Sequence, residues 1–146
     1  MIAKIKRIDT SLPLPKYETS GSVGFDFFCR ESITIFPKRI ELIPGNVIIQ
    51  IPAGYMLMIT LRSSTPQKYR LIMPHGVGII DCDYCGPNDE ILIQVMNITE
   101  DPVTVNRGDR IAQGIFVKVD RTSWLEVMEI QQESRGGFGS TDEKDK

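Results

Sequence analysis

The stretch Glu41–Leu61, ELIPGNVIIQIPAGYMLMITL, holds three short apolar runs cut by Pro-Gly-Asn and Pro-Ala-Gly. Each run is too short for an ordinary helix, and proline and glycine mark turns between them, so Glu41–Ile43, Val47–Ile51 and Tyr55–Leu61 read as strands. The same texture extends in both directions. Ala3–Ile8, Phe25–Cys29, Ser32–Ile35, Val77–Ile80, Glu90–Asn97, Val103–Val105, Arg110–Val119 and Leu125–Ile130 are further strand candidates. Only Thr65–Tyr69 hints at a helical turn, and nowhere does a 3.6-residue apolar period persist. The pattern predicts an all-β sandwich or barrel rather than alternating βα units.

With 146 residues, 41% apolar and 25% charged, the chain suits one domain with a real core. A net charge of −2 gives no general attraction to nucleic acid. The start, MIAKIKRIDTSLPLP, lacks an apolar signal-peptide core, and no apolar run is long enough to span a membrane. Three cysteines argue against a disulfide framework, and Cys82-x-x-Cys85 reads as incidental, having too few partners for a metal and no helix to open. The expectation is a soluble, intracellular, cytoplasmic protein with no stable nucleic-acid partner. Composition changes after Glu133, where SRGGFGSTDEKDK cannot bury enough apolar area to offset its ordering. The division expected is a β domain over 1–133 and a flexible arm over 134–146, either a frayed tail or a flap that orders over a ligand.

Four features could carry chemistry. Asp26 lies between Phe25 and Phe27, where strand alternation turns it away from them, toward solvent or toward a function. Arg62-Ser63-Ser64 closes a strand with a guanidinium and two hydroxyls, suited to a phosphate or to a polar turn. Gly76 to Gly86, GVGIIDCDYCG, combines glycines that admit close backbone approach with Asp81 and Asp83, which share a face if the chain stays extended. A carboxylate there could orient water as a general base, or the segment could be a hairpin turn. Arg135 to Thr141, RGGFGST, is not a P-loop but offers backbone N–H groups, hydroxyls, a cation and an aromatic face.

In order, these segments resemble the five motifs of the trimeric dUTPase family. Gly24-Phe25-Asp26-Phe27 is similar to the first, Arg62-Ser63-Ser64 to the second and Gly78 to Gly86 to the third. Gly108-Asp109-Arg110-Ile111-Ala112-Gln113 resembles the fourth and Gly136 to Thr141 the fifth. The resemblance implies a jelly-roll-like β-barrel in a homotrimer with three active sites shared between subunits. It implies hydrolysis of dUTP to dUMP and pyrophosphate, limiting uracil in DNA and supplying dUMP for dTTP synthesis. Asp81 would be the base that activates water against the α-phosphate. Mg²⁺ would ride mainly on phosphate oxygens, with Asp26 reaching it through water. Ser63, Ser64, Gln113, Arg135, Gly139, Ser140 and Thr141 would hold the phosphates, and Arg62, with Arg110, would support that site through its neighbours. Gly78, Ile79 and Ile80 would present backbone to uracil, beside His75, while Tyr84 packs on deoxyribose and Phe138 caps the base.

The chain departs from the motifs in places. Arg135 sits only three residues before Phe138, Asp142 replaces the final glycine, and Gly86–Asn97 is long, which predicts a lengthened hairpin. Two rivals follow. A dCTP deaminase, or a bifunctional enzyme, needs a glutamate on the strand after motif three. Ile91–Val95 has none, and Glu90 only precedes it. A non-catalytic dUTP-binding module is the other.

Overall fold

The computed structural model describes residues 1–134. Eleven strands and one short helix are present among them. Strand β1 (Lys4–Arg7) pairs with β5 (Val47–Gln50), and β3 (Ile33–Ile35) with β10 (Val103–Val105). A four-stranded sheet runs β2 (Phe25–Asp26), β11 (Ala112–Lys118), β6 (Tyr55–Leu61), β8 (Gly78–Ile80). A three-stranded sheet runs β4 (Ile40–Pro44), β9 (Leu92–Asn97), β7 (Leu71–Ile72). Every pairing is antiparallel, so the fold is all-β, as the sequence predicts.

The core forms where inward positions of these sheets meet. Phe27, Ile35, Ile43, Leu57, Ile59, Ile93 and Val95 are fully enclosed there. The Phe25 and Phe27 rings meet edge-on at 5.4 Å. Gly114 on β11 lies under both, since a Cβ there would come 2.9 Å from each ring tip. Helix α1 (Thr65–Tyr69) starts with a proline in its first turn and ends on Arg70 at φ 55, as a chain does when a helix stops abruptly.

Two expectations are corrected, and one strand was missed. Leu125–Ile130 is not a strand: nothing after Lys118 joins a sheet among the described residues, and Trp124, Leu125 and Ile130 are 92%, 86% and 78% exposed. A strand exists only where an edge accepts it, and none of the described edges does so here. Residues 81–91 do not lengthen a hairpin, because β8 pairs with β6 while β9 pairs with β4 and β7. They cross between two sheets instead. Finally, β7 was too short, at two residues, to leave a periodic signal.

Candidate active site

Local bonding builds one half of the site. Arg62 ends β6, and its N–H donates to the Ile111 carbonyl at 2.9 Å, as does the buried Thr65 hydroxyl at 2.7 Å. The Arg62 guanidinium also donates to the Arg110 carbonyl at 3.2 Å. These bonds tie the second and fourth motifs together. Between them lies Asp26, 9% exposed, with Oδ1 at 3.1 Å from Arg62 Nε and Oδ2 at 3.2 Å from Arg110 Nη1. Asp26 is therefore not solvent-facing: the outer face of β2 is covered by two guanidiniums, and an uncompensated carboxylate there would be costly. Glu18 takes the same Arg110 nitrogen at 2.7 Å.

Arg62, Ser64, Lys68, Tyr69, Gly108, Asp109 and Arg110 surround a hollow of about 260 Å³. Ser63 and Ser64 are exposed beside it. The Lys68 ammonium sits 4.7 Å from the Tyr69 ring centroid, and the tyrosine side chain holds it protonated above the usual lysine range. Lys68 and the Ser64 hydroxyl at this opening suit an anion, while Arg62 and Arg110 are engaged with Asp26 and Glu18 and the Asp109 carboxylate also lines it. Lys68 and Tyr69 escaped the sequence reading. Their signal was available, since they follow Arg62-Ser63-Ser64 within one short helix. Gln113 pairs with Asp26 across β2 and β11, and its side-chain oxygen lies where a Cβ on Gly24 would come within 2.8 Å.

The other half is built on β8. Gly76 turns the chain at φ 78, which only glycine adopts without strain. Gly78 lies against Ile59, which would be 3.2 Å from an added Cβ, and His75 Nε2 would be 3.7 Å from it. Since β8 is the last strand of its sheet among the described residues, the outer edge of the Gly78–Ile80 backbone could pair with a ligand. Asp81 follows, exposed, and the chain turns there, the Tyr84 N–H donating to the Asp81 carbonyl at 3.2 Å. Asp81 and Asp83 are thus on a turn rather than on one face of a strand. The Tyr84 hydroxyl donates to the Glu90 carbonyl at 3.2 Å, which fixes the ring. Asp81, Cys82, Asp83, Tyr55, Val119 and Arg121 line a hollow of about 360 Å³, and Arg121 is a second cation the sequence reading missed.

The two halves do not meet in one chain. Ile80 pairs with Leu57, near the start of β6, whereas Arg62 leaves its far end. Five residues of strand separate them, roughly 17 Å at about 3.3 Å per residue. Arg135, Phe138, Gly139, Ser140 and Thr141 lie outside the described residues.

A sequence model of the dUTPase family matches residues 10–142. The chain belongs to the dUTPase family. Among its relatives, the deoxyuridine 5'-triphosphate nucleotidohydrolase of Finegoldia magna is 40% identical over 143 residues, covering 94% of this chain and 98% of that one. The enzyme of that name from Helicobacter pylori strain P12 is 34% identical over 143 residues, 97% of either chain. The crystal structure of a dUTPase from Streptococcus mutans superposes with a TM-score of 0.75 at 32% identity, covering 82% of this chain and 98% of that one. Membership of the dUTPase family explains why strands, hollows and motifs occur together along nearly the whole chain. No helix among the described residues is long and apolar enough to cross a membrane.

Proposed function

We propose that this dUTPase-family protein hydrolyses dUTP to dUMP and pyrophosphate in a site assembled from different copies of a homotrimer. The observation that carries this reading is the separation along β6: Asp81 and Tyr84 stand at one end, Arg62, Ser63 and Ser64 at the other. A cyclic arrangement of heterologous contacts brings such complementary halves together and closes on itself. The exposed apolar residues of 124–130 support it, since an assembly can cover what a single chain leaves bare.

In this reading the Asp81 carboxylate accepts a proton from a water molecule. The water oxygen attacks the α-phosphorus, and pyrophosphate leaves with the bonding pair. Ser63, Ser64, Gln113 and Lys68 hold the phosphates from a second copy. Arg62 contributes chiefly by fixing Asp26 and the Arg110 backbone. The free edge of Gly78–Ile80 reads uracil with His75 beside it, and Tyr84 closes the deoxyribose side. The fifth-motif residues, from Arg135 through Phe138 to Gly139, Ser140 and Thr141, complete the site from an arm. That arm is taken over residues 134–146, beyond the last described strand, which ends at Lys118.

Among the described residues no three His, Cys, Asp or Glu side chains gather into a metal-holding group. The Asp26 carboxylate, already paired with Arg62 and Arg110, suits an indirect contact through water, with Mg²⁺ held on triphosphate oxygens, the ligands this ion favours. Bound so, the ion would supply charge neutralisation at the leaving pyrophosphate. The product role follows: less uracil in DNA and a supply of dUMP.

The deaminase alternative loses support from Glu90. Its Oε1 and Oε2 accept Arg30 Nε and Nη2 at 2.9 and 3.0 Å, and the Asn46 N–H donates to Oε1 at 2.9 Å. That carboxylate is committed to joining two loops. Product analysis with Mg²⁺ and, separately, dUTP, dCTP, dTTP and UTP tests the reading. Pyrophosphate and dUMP from dUTP alone are expected. Ammonia from dCTP would move the chain to deamination, and binding of dUTP without turnover to a non-catalytic role.

A further inference from the structure

Cys82 and Cys85 bracket Asp83-Tyr84 in the turn that leaves β8, directly after Asp81. Two backbone bonds fold this turn: Tyr84 N–H to the Asp81 carbonyl at 3.2 Å, and Cys85 N–H to the Asp83 carbonyl at 3.0 Å. The fold carries the Cys85 thiol to 3.7 Å from the Cys82 carbonyl oxygen, to which it donates. Cys82 is exposed and Cys85 half-buried, so a small reagent reaches both. A metal half-site is the competing use of two such thiols, but no third ligand joins them among the described residues.

We propose that Cys82 and Cys85 close into a reversible intrachain disulfide by exchange with a small-molecule disulfide, forming a redox switch on the turn that carries Asp81 and Tyr84. One protein thiol gives its proton to solvent, and its sulfur attacks the small disulfide, releasing one thiol. The second cysteine attacks the resulting mixed disulfide and releases the other. Two protein thiols are oxidised by two electrons, and one small disulfide is reduced to two thiols. A disulfide needs Cα atoms about 4.4–6.8 Å apart, and the Cys85 thiol already reaches the Cys82 backbone, 3.7 Å from its carbonyl oxygen. Lys4 and Lys6 share a hollow of about 290 Å³ with Cys85, which gives an anionic disulfide such as oxidised glutathione a cationic approach.

Closure pins Asp83-Tyr84 inside a small ring. The ring draws Tyr84 against its hydroxyl bond to the Glu90 carbonyl, and in this proposal it moves the Tyr84 side chain and the neighbouring Asp81 carboxylate. Cys29 takes no part, because it is enclosed in the core. Only the functional half of this inference rests on the roles given above to Asp81 and Tyr84.

The test uses the full chain in glutathione buffers of rising oxidised fraction, quenched by alkylation, with intact mass and dUTP turnover read on the same samples. A species about 2 Da lighter with one alkylatable thiol after denaturation is expected, alongside a turnover loss of about tenfold or more. Dithiothreitol should reverse both, and Cys85→Ser should show neither while keeping its reduced-state turnover. No such species in pure oxidised glutathione would overturn the proposal. So would a disulfide joining two chains, or an intrachain disulfide with turnover unchanged. The mass readout does not depend on turnover, so failure of the dUTP reading is seen separately.

Discussion

Asp26 shows how a single residue changes meaning once its neighbours are known. Alternation correctly turned it away from Phe25 and Phe27, but what covers that face comes from residues 36 and 84 positions further on. Local pattern cannot report that. Asp26→Asn should leave Arg62 and Arg110 without their shared carboxylate and destabilise the protein by about 2 kcal/mol, measured by urea unfolding. For Asp81, exposed and without an ion pair among the described residues, the opposite holds. Asp81→Asn should leave stability and dUTP affinity nearly unchanged while lowering turnover by roughly 10²–10⁴-fold, the usual contribution of a general base. Calorimetric titration and steady-state rates separate the two effects, and wild-type rates would remove Asp81 from the chemistry. Cys29 supplies a pH signature. Burial, and next the charge of Asp109, push its thiol up to about 12 from 9.0. The folded state keeps a proton that the unfolded state loses, so stability is full below pH 9.0 and falls as pH rises toward about 12. The unfolding midpoint should decline more steeply across that window in the native sequence than in Cys29→Ala.

Among the elements, legibility followed locality. Tyr55–Leu61 and Val103–Val105 were read to the residue because their own sequence and flanking turns define them. The helix over Thr65–Tyr69 announced itself through Pro66. Phe25–Cys29 shortened to two strand residues because pairing with β11 stops at Asp26. Leu125–Ile130 failed as a strand for a related reason: its apolar residues need an edge to dock on. The site's second and third motifs were legible as motifs; Lys68 and Tyr69 were within reach of the sequence, next to Arg62-Ser63-Ser64 on one short helix, whereas Arg121 became visible only when folding set it beside Asp81. Gly114 makes an element-level test. Any side chain there presses on Phe25, Phe27 and Leu57 within the core. Gly114→Ala should cost about 1–3 kcal/mol, the usual range for overpacking, and thermal unfolding against the parent protein checks it.

At the scale of the whole molecule, one chain of 16.5 kDa holds Asp81 and Ser63-Ser64 towards opposite ends of β6 and exposes apolar residues over 124–130. The proposed site, shared between three copies, rests on that separation. Sedimentation equilibrium should therefore return a mass near three times the chain's. Removing residues from Ser134 onward should keep that mass and abolish most turnover, because the fifth motif goes with them. The sharing of sites between copies has its most direct test in mixed assemblies. Asp81→Asn and the Ser63→Ala/Ser64→Ala double variant, each inactive alone, are co-expressed with different affinity tags, and assemblies holding both are assayed on dUTP. With halves drawn from neighbouring copies, every mixed trimer keeps one site in three with both halves intact, so roughly a third of the parent turnover returns. Mixed assemblies as inactive as their components would place both halves of each site within a single chain and contradict the shared site.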